Sequence, residues 1–531
     1  MAFLFPAILG NRGSRHVAPR LCMVAMAVIV APVGSVHADA PAIAFDGGGL
    51  SRALLGPGTG VIVGLVDGGV NSAHPLLAGT DSLGRPRMVA QANFVTSEPS
   101  NSGADVFGHG TAVAGLALGR GFVGSDNFDG MAPDARYVNA RVLDSTNGFS
   151  STLQVTNGVQ FALAKHSDIV NLSLAVFSAQ SDGLSQLDLL VDYITDSRGV
   201  LVTVAGGNNG NSQASHSPGA ARNALTMGAL TADYSRVATF SDGGPTSDGR
   251  MKPNMVAPAS AVSTANFNYP TGPLVSNRTG TSFAAPQAAG LAAQMIEYGR
   301  EHGLSTDTRV LRAAMMNAAD KTLDSDGSGW SNTQQFPLDN QQGTGRLEAL
   351  GAAHQYMAGQ FGPGAVPNVA WALHSIAGSV TPATTTELFS LTQASAVGTF
   401  IDATLVWNQH VAWNDFFPIG VIDPGDFFTA AAHNELDLYL YRDDVLIAAS
   451  TSSADTVQHL HYLVTQTGNY NLRVAQPFDN GFSETYSLAW NSVPVPEPGT
   501  IGLLMAGAVA LAGLRRGGRA RLRSRLATSA R

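Results

Sequence analysis

The sequence predicts an α/β architecture, a parallel sheet with helices on both faces, followed by a β-sandwich domain and a short C-terminal hydrophobic helix. Three observations carry this. Between positions 60 and 205 short apolar runs alternate with longer amphipathic stretches. From about Val366 to Ser492 the pattern changes to period-two runs rich in Thr, Val, Tyr and Phe. A last apolar run, Gly499 to Leu514, precedes a basic tail.

The runs Val61 to Val66, Tyr137 to Leu143, Asp168 to Ser173 and Val200 to Val204 are nearly continuous in apolar residues. Strands buried on both faces read this way, and the stretches between them have the length of crossover helices. Gln154 to Lys165, Phe283 to Arg300 and Val310 to Ala319 carry helices. The second is rich in Ala and Gly, so its backbone can approach neighbours closely. Alternating runs such as Ala403 to Trp407, Leu436 to Tyr441 and Tyr470 to Val474 predict the sandwich. The expected boundaries are 1–40 for a leader, 41–362 for the α/β domain, 366–492 for the sandwich and 494–531 for the tail. No internal repeat interrupts this order.

Composition is that of a folded, loop-rich protein: 13% of the residues are charged and 59 of 531 are glycine. The whole chain has a formal charge of −9. Setting aside three arginines before position 41, seven after 514, and Asp39, the body holds 20 basic residues against 38 acidic ones. Such a surface repels nucleic acid and anionic membrane, so no nucleic-acid partner is expected.

Both ends read as addresses. Arg12, Arg15 and Arg20 precede the apolar run Leu21 to Val33, with small residues at Ala38 and Ala40, the pattern of a signal peptide handled by Sec-type export machinery. The single cysteine, Cys22, lies inside that leader, so the mature chain is expected to hold no disulfide. At the other end Pro496-Glu497-Pro498 leads into the apolar run Gly499 to Leu514, and six arginines follow from Arg515 to Arg525. The run is shorter than the roughly twenty residues that span a bilayer without strain. These three parts in order resemble a PEP-CTERM sorting signal. That resemblance implies an exported protein of a Gram-negative bacterium, held briefly at the membrane by a transmembrane helix and processed by an exosortase. A plain C-terminal anchor is the other reading.

Four segments suggest chemistry only when taken together. Asp67 ends the first apolar strand and is followed by Gly68-Gly69, which puts a carboxylate at the carboxyl edge of a parallel sheet, where α/β active sites lie. His109 sits in Gly108-His109-Gly110-Thr111. Ser282 sits in Gly280-Thr281-Ser282-Phe283-Ala284-Ala285-Pro286, opening a helix whose N-terminal N–H groups favour negative charge. Asn208, in Gly206-Gly207-Asn208-Asn209-Gly210, follows the strand ending at Val204. Alone, each has a bland reading as a loop carboxylate, a structural histidine, an N-cap or a turn residue.

The order Asp, His, Asn, Ser and its local motifs resemble the subtilisin-like serine peptidases over roughly Gly60 to Ala353. The resemblance implies a subtilisin-like fold and a secreted serine endopeptidase acting on proteins or peptides. Asp67, His109 and Ser282 would be its triad, with Asn208 as an oxyanion donor. Ser173, Leu174, Ala175 and Gly207 would bind substrate. The chemistry needs no cofactor. Structural calcium is common in that family, but no ligands can be assigned, since Asp324 to Ser328 lacks a full calcium loop and reads as a polar turn. Three positions depart from the family pattern: Ala112 replaces a second His, Ala175 a Gly, and Asn209 an acidic residue. Two other functions stay open at this point, a catalytically silent matrix-binding protein and an esterase. The second is weakened by the lack of Gly-x-Ser-x-Gly around Ser282.

Overall fold

A computed structural model of the chain describes residues 48–98, 102–123, 126–148, 151–176, 181–210, 215–378, 384–415, 426–477 and 483–492. The leader at 1–40 and the tail at 494–531, with its hydrophobic helix, lie outside the described residues. Among the described residues no helix is long and apolar enough to cross a membrane.

The chain opens with α1 (Gly48–Leu55), β1 (Ile62–Asp67), β2 (Met88–Asn93), α2 (His109–Leu118) and the two-residue strands β3 (Phe122–Val123) and β4 (Asp126–Asn127). Next come β5 (Arg136–Arg141), α3 (Thr152–Ala164), β6 (Ile169–Leu172), α4 (Gln186–Ser197), β7 (Leu201–Ala205), β8 (Leu225–Leu230) and β9 (Met255–Pro258). Seven of these strands form one parallel sheet in the order β2-β5-β1-β6-β7-β8-β9. Successive residues point to opposite faces, and both faces are apolar. Val63, Leu65 and Ile169 join the cluster containing Val113 of α2 and residues of the next long helix. Val66, Val170 and Val202 join the cluster containing Val159 of α3 and Ile194 of α4.

The strand order reverses at β1, since the chain adds β2 and β5 on one side and then crosses to β6 on the other. A crevice opens at the carboxyl ends of strands at such a point. The ends of β1, β6 and β7 deliver Asp67, Ser173 and the Gly206–Asn208 turn to the same edge.

Beyond the sheet come the antiparallel pair β10 (Val262–Ala265) and β11 (Leu274–Arg278), a 3-10 turn at Thr281–Phe283, and helices α5 (Ala285–His302), α6 (Thr308–Asn317) and α7 (Ala349–Met357). Here the structure corrects the sequence reading. Ser282 does not open the α-helix but sits in the 3-10 turn, and α5 starts only at Ala285. Pro286 falls in the first turn of α5, where its missing N–H costs nothing.

The β-rich region that follows comprises β12 (Gly364–Val366), β13 (Val369–Ile376), β14 (Thr385–Leu391), β15 (Phe400–Trp407), β16 (Val411–Asn414) and β17 (Phe427–Ala430). It continues with β18 (Asp437–Arg442), β19 (Val445–Ser450), β20 (Val457–Leu463), β21 (Tyr470–Gln476) and β22 (Glu484–Asn491). A five-stranded sheet, β12-β14-β21-β18-β19, and a four-stranded sheet, β13-β22-β15-β20, contribute side chains to one shared core, among them Phe389, Leu440 and Leu472 from the first and Trp407, Leu488 and Trp490 from the second.

The four-stranded sheet also belongs to the α/β layer, because Trp371, Val406, Val457 and Ala489 lie in the same apolar cluster as α5 and α6. Trp371 stacks on Tyr356 of α7 at 5.9 Å and donates its indole N–H to the Tyr356 carbonyl at 2.8 Å. Gln355 Nε2 donates to the carbonyls of Ala370 at 2.7 Å and Trp490 at 3.1 Å. A hairpin of β16 and β17 lays Phe428 against Tyr193 of α4 at 5.4 Å.

His410 is a charged link across this boundary. Its Nδ1 lies 2.9 Å from Asp196 at the end of α4, and its Nε2 lies 3.1 Å from the fully buried Glu484 of β22. The hydrogen bonds to Asp196 and Glu484 outweigh desolvation and push His410 up to about 10. A folded-state pKa raised above the ordinary 6.5 stabilises the fold fully below that value and ceases to do so as pH climbs through the folded pKa. The melting-temperature gap between the native chain and His410→Gln is therefore expected to be widest near about pH 6 and to close towards about pH 10. A gap that does not change with pH would contradict this reading of His410.

Candidate active site

Asp67 closes β1 and is 1% exposed. Its Oδ1 accepts from the Gly68 N–H at 2.6 Å and from His109 Nδ1 at 2.7 Å, while Oδ2 is buried with no partner among the described residues. His109 is the first residue of α2, and the helix can come this close only because residue 110 has no side chain. A Cβ there would lie 2.1 Å from the Gly69 carbonyl oxygen and 3.0 Å from Asp67 Oδ1.

Asp105 anchors the start of α2. Its Oδ1 accepts from the N–H groups of Phe107 at 3.0 Å and Gly108 at 2.6 Å, and its Oδ2 from Thr111 at 2.8 Å. Burial works against a charged His109, but the charge of Asp67 and its hydrogen bond prevail, helped by Asp105 and opposed by Arg278, and the imidazole pKa is raised. The hydrogen bond to Asp67 places the proton on Nδ1 and leaves the Nε2 lone pair free.

Ser282 is half-buried in its 3-10 turn, and Phe283 beside it lies against the His109 ring at 5.6 Å. The Ser282 hydroxyl donates to the Ser173 carbonyl at 3.2 Å, and the Ser173 hydroxyl donates to the Ser282 carbonyl at 2.8 Å. The serine is thus held in place by Ser173 rather than hydrogen-bonded to His109. Asn171 steadies Ser173 in turn, its Nδ2 donating to Ser173 Oγ at 2.9 Å while its Oδ1 accepts from Thr203 at 3.0 Å.

Asn208 is exposed at the end of β7. Its Oδ1 accepts from the Thr281 N–H at 2.8 Å and hydroxyl at 3.0 Å, which fixes the amide with Nδ2 free to donate. A Cβ on Gly280 would lie 3.5 Å from that Nδ2, so the bare backbone keeps the space open. Gly207 donates its N–H to Thr281 Oγ1 at 3.1 Å, so that group is not available to a substrate. What Gly207 supplies is a φ of +121°, and a side chain there would drive into Asp242, whose carboxylate accepts from the Asn209 N–H and, at 3.1 Å, from Asn209 Nδ2.

Of the expected substrate-binding strand, Ser173 and Leu174 are buried and Ala175 is half-buried. Of the site residues expected from the sequence, Asp67 touches His109, Ser173 touches Ser282, and Asn208 and Gly207 both bond Thr281 next to Ser282, while Leu174 and Ala175 continue the segment after Ser173. Sequence reasoning missed Asp105, Thr281 and Asp242. Only Asp105 left a signal, an acidic residue just ahead of a helix start.

Among the described residues no group of three or more His, Cys, Asp or Glu could hold a metal ion. In the polar turn at 324–328, Asp324 accepts from Gln342 at 2.8 Å and Asp326 from the Ser328 hydroxyl at 2.7 Å. Asp324 thus ties the turn to Gln342, and Asp326 closes it onto Ser328.

The sequence pattern of the Subtilase family matches residues 58–345, more than half of the chain. Serine protease AprX of Bacillus subtilis is 30% identical over 52% of this chain and 66% of its own, so the chain spans just under two thirds of that relative. Thermitase of Thermoactinomyces vulgaris is 31% identical over 52% of this chain and 87% of its own. A crystal structure of a cold adapted subtilisin-like serine proteinase is 28% identical with a TM-score of 0.40, covering 51% of this chain and 86% of that one.

His109 is expected to titrate above 6.5 when followed by NMR in a Ser282→Ala chain, and Asp67→Asn should lower its pKa by removing the nearest charge. A His109 pKa that Asp67→Asn leaves in place would contradict the electrostatic account.

Proposed function

Since the chain belongs to the subtilase family, we propose that it is an exported serine endopeptidase with Asp67, His109 and Ser282 as its triad and Asn208 as an oxyanion donor. The observation that carries this reading is the buried 2.7 Å bond from His109 to Asp67, set at the sheet edge that also bears Ser282 and Asn208. That bond holds the imidazole in the tautomer a base needs and balances the charge it acquires.

In the reaction, Ser282 rotates from the Ser173 carbonyl towards His109 Nε2, gives up its proton there and attacks the amide carbon of a substrate. Hydrogen bonds at such sites often tighten only when substrate is present. The oxygen that becomes negative is met by Asn208 Nδ2 and the Ser282 backbone N–H. Protonated His109 then hands its proton to the leaving amine, the bond to nitrogen breaks, and water repeats the sequence to release the acyl half. The backbone of Ser173, Leu174 and Ala175, with the Gly207 turn, aligns the acyl half of the substrate. No step of this chemistry calls for a cofactor.

Export rests on the Arg12–Val33 leader, and the Pro496–Arg525 tail supports Gram-negative surface display with release by an exosortase. The sheets of 366–492 follow as a β-sandwich domain.

The test is casein hydrolysis. The native chain should cleave casein, Ser282→Ala should abolish cleavage with thermal stability within about 1 kcal/mol, and Asn208→Ala should slow it about a hundredfold or more, the scale known for subtilisin. Normal turnover by Ser282→Ala would end the assignment. For the tail, the intact mass of the exported form should stop short of Arg531, and a mass that includes it would rule out processing.

A further inference from the structure

Arg278 ends β11, four positions before Ser282, and its guanidinium crosses to the His109 segment. A Cβ on Gly108 would lie 3.3 Å from Arg278 Nη2 and 2.5 Å from the Phe267 ring. The side chain is half-buried and its Nε is buried with no hydrogen-bond acceptor. Among the described residues no carboxylate pairs with it, whereas Arg141, Arg222, Arg250 and Arg309 each meet one. A cation that has lost part of its water and gained no partner is costly, and the cost is offset when a ligand supplies the missing anion.

Its position says which part of a ligand that would be. Ser173 and Asn208 flank Ser282 on the acyl side, held there by bonds to Ser282 and Thr281. His109 must reach the leaving amine to protonate it, so the leaving half runs past the other flank of the histidine, the Gly108 side that Arg278 covers. We propose that Arg278 is a specificity-determining residue that selects substrates carrying a carboxylate on the first or second residue after the scissile bond. This rests on the peptidase reading above.

The preference is local. The acidic body repels acidic peptides at long range, but at physiological salt that field fades over about 8 Å, and a carboxylate seated against Arg278 is within contact distance. Arg278 also opposes protonation of His109, and a bound carboxylate would offset that opposition while the imidazole is charged.

The experiment uses the mature chain and fluorogenic peptides identical except for Glu, Gln or Lys at the first, then the second, position after the bond. A further pair ends at the second position as a free acid or an amide, which separates a side-chain carboxylate from a chain terminus. The native enzyme should show a kcat/KM ratio of Glu to Gln of roughly three to five at one of the two positions. Arg278→Gln should bring that ratio to about one, and Arg278→Glu should turn the preference towards Lys. Added salt should also draw the native ratio towards one, a reading that needs no variant to fold. A native ratio of one or less at both positions, or one indifferent to salt and to both substitutions, overturns the proposal. Should the native chain cleave neither these peptides nor casein, it is the peptidase reading that falls, and a cleaving enzyme without the preference removes only the role of Arg278.

Discussion

The bond between Asp67 and His109 is the contact around which the rest of the site is arranged. It joins the last residue of β1 to the first residue of α2, two elements separated by 42 positions in sequence. Strand and helix can meet there because Gly110 presents no side chain to Gly69, and the helix start stays put because Asp105 takes three of its backbone N–H groups. A buried carboxylate and imidazole are costly apart, and together they offset much of each other's desolvation. The raised pKa of His109 is the electrostatic trace of that pairing.

The other half of the site is tied together by hydroxyls. Thr281 donates to Asn208 through both its N–H and its hydroxyl, and that hydroxyl accepts from Gly207. Ser173 exchanges hydrogen bonds with Ser282 in both directions. The loops after β6 and β7 are thereby fastened to the Ser282 turn by polar bonds, while the Ser282 hydroxyl has still to rotate towards His109 in the proposed reaction. Under the proposed function, the bonds from Thr281 hold Asn208 ready to meet the oxyanion, and such preorganised donors contribute much of the electrostatic stabilisation of a transition state. The β-rich region is joined to the same layer, since Trp371 and Gln355 bond its four-stranded sheet to α7.

Much of the α/β layer was legible because burial on both faces leaves apolar runs such as Val61 to Val66, and because helices such as Thr152–Ala164 keep their periodicity. Strand ends and glycine turns place Asp67 and Asn208 at the carboxyl edge of the sheet, whereas His109 and Ser282 join them only through the resemblance of their motifs to the subtilisin-like peptidases. Bonds between distant segments could not be anticipated. Asp242 shows no local sign that it will brace Asn209, and nothing around Thr281 marks it as the partner of a residue 73 positions earlier. Helical spacing beginning at Phe283 puts the start of α5 too early, because it does not distinguish a 3-10 turn from the first turn of an α-helix, and only the position of Pro286 hints at the later start. Trp371, whose ring meets Tyr356 across the boundary between the two regions, reads in sequence as one more residue of an alternating strand.

The central claim is that Ser282 is chemically activated by its surroundings, and covalent labelling tests it most directly. After treatment of the native chain with a fluorophosphonate, peptide mass spectrometry should find one phosphonyl adduct, on Ser282, and none after Asp67 or His109 is replaced by alanine. An unmodified Ser282 in the folded native chain, or an adduct that forms equally well without His109, would contradict the account.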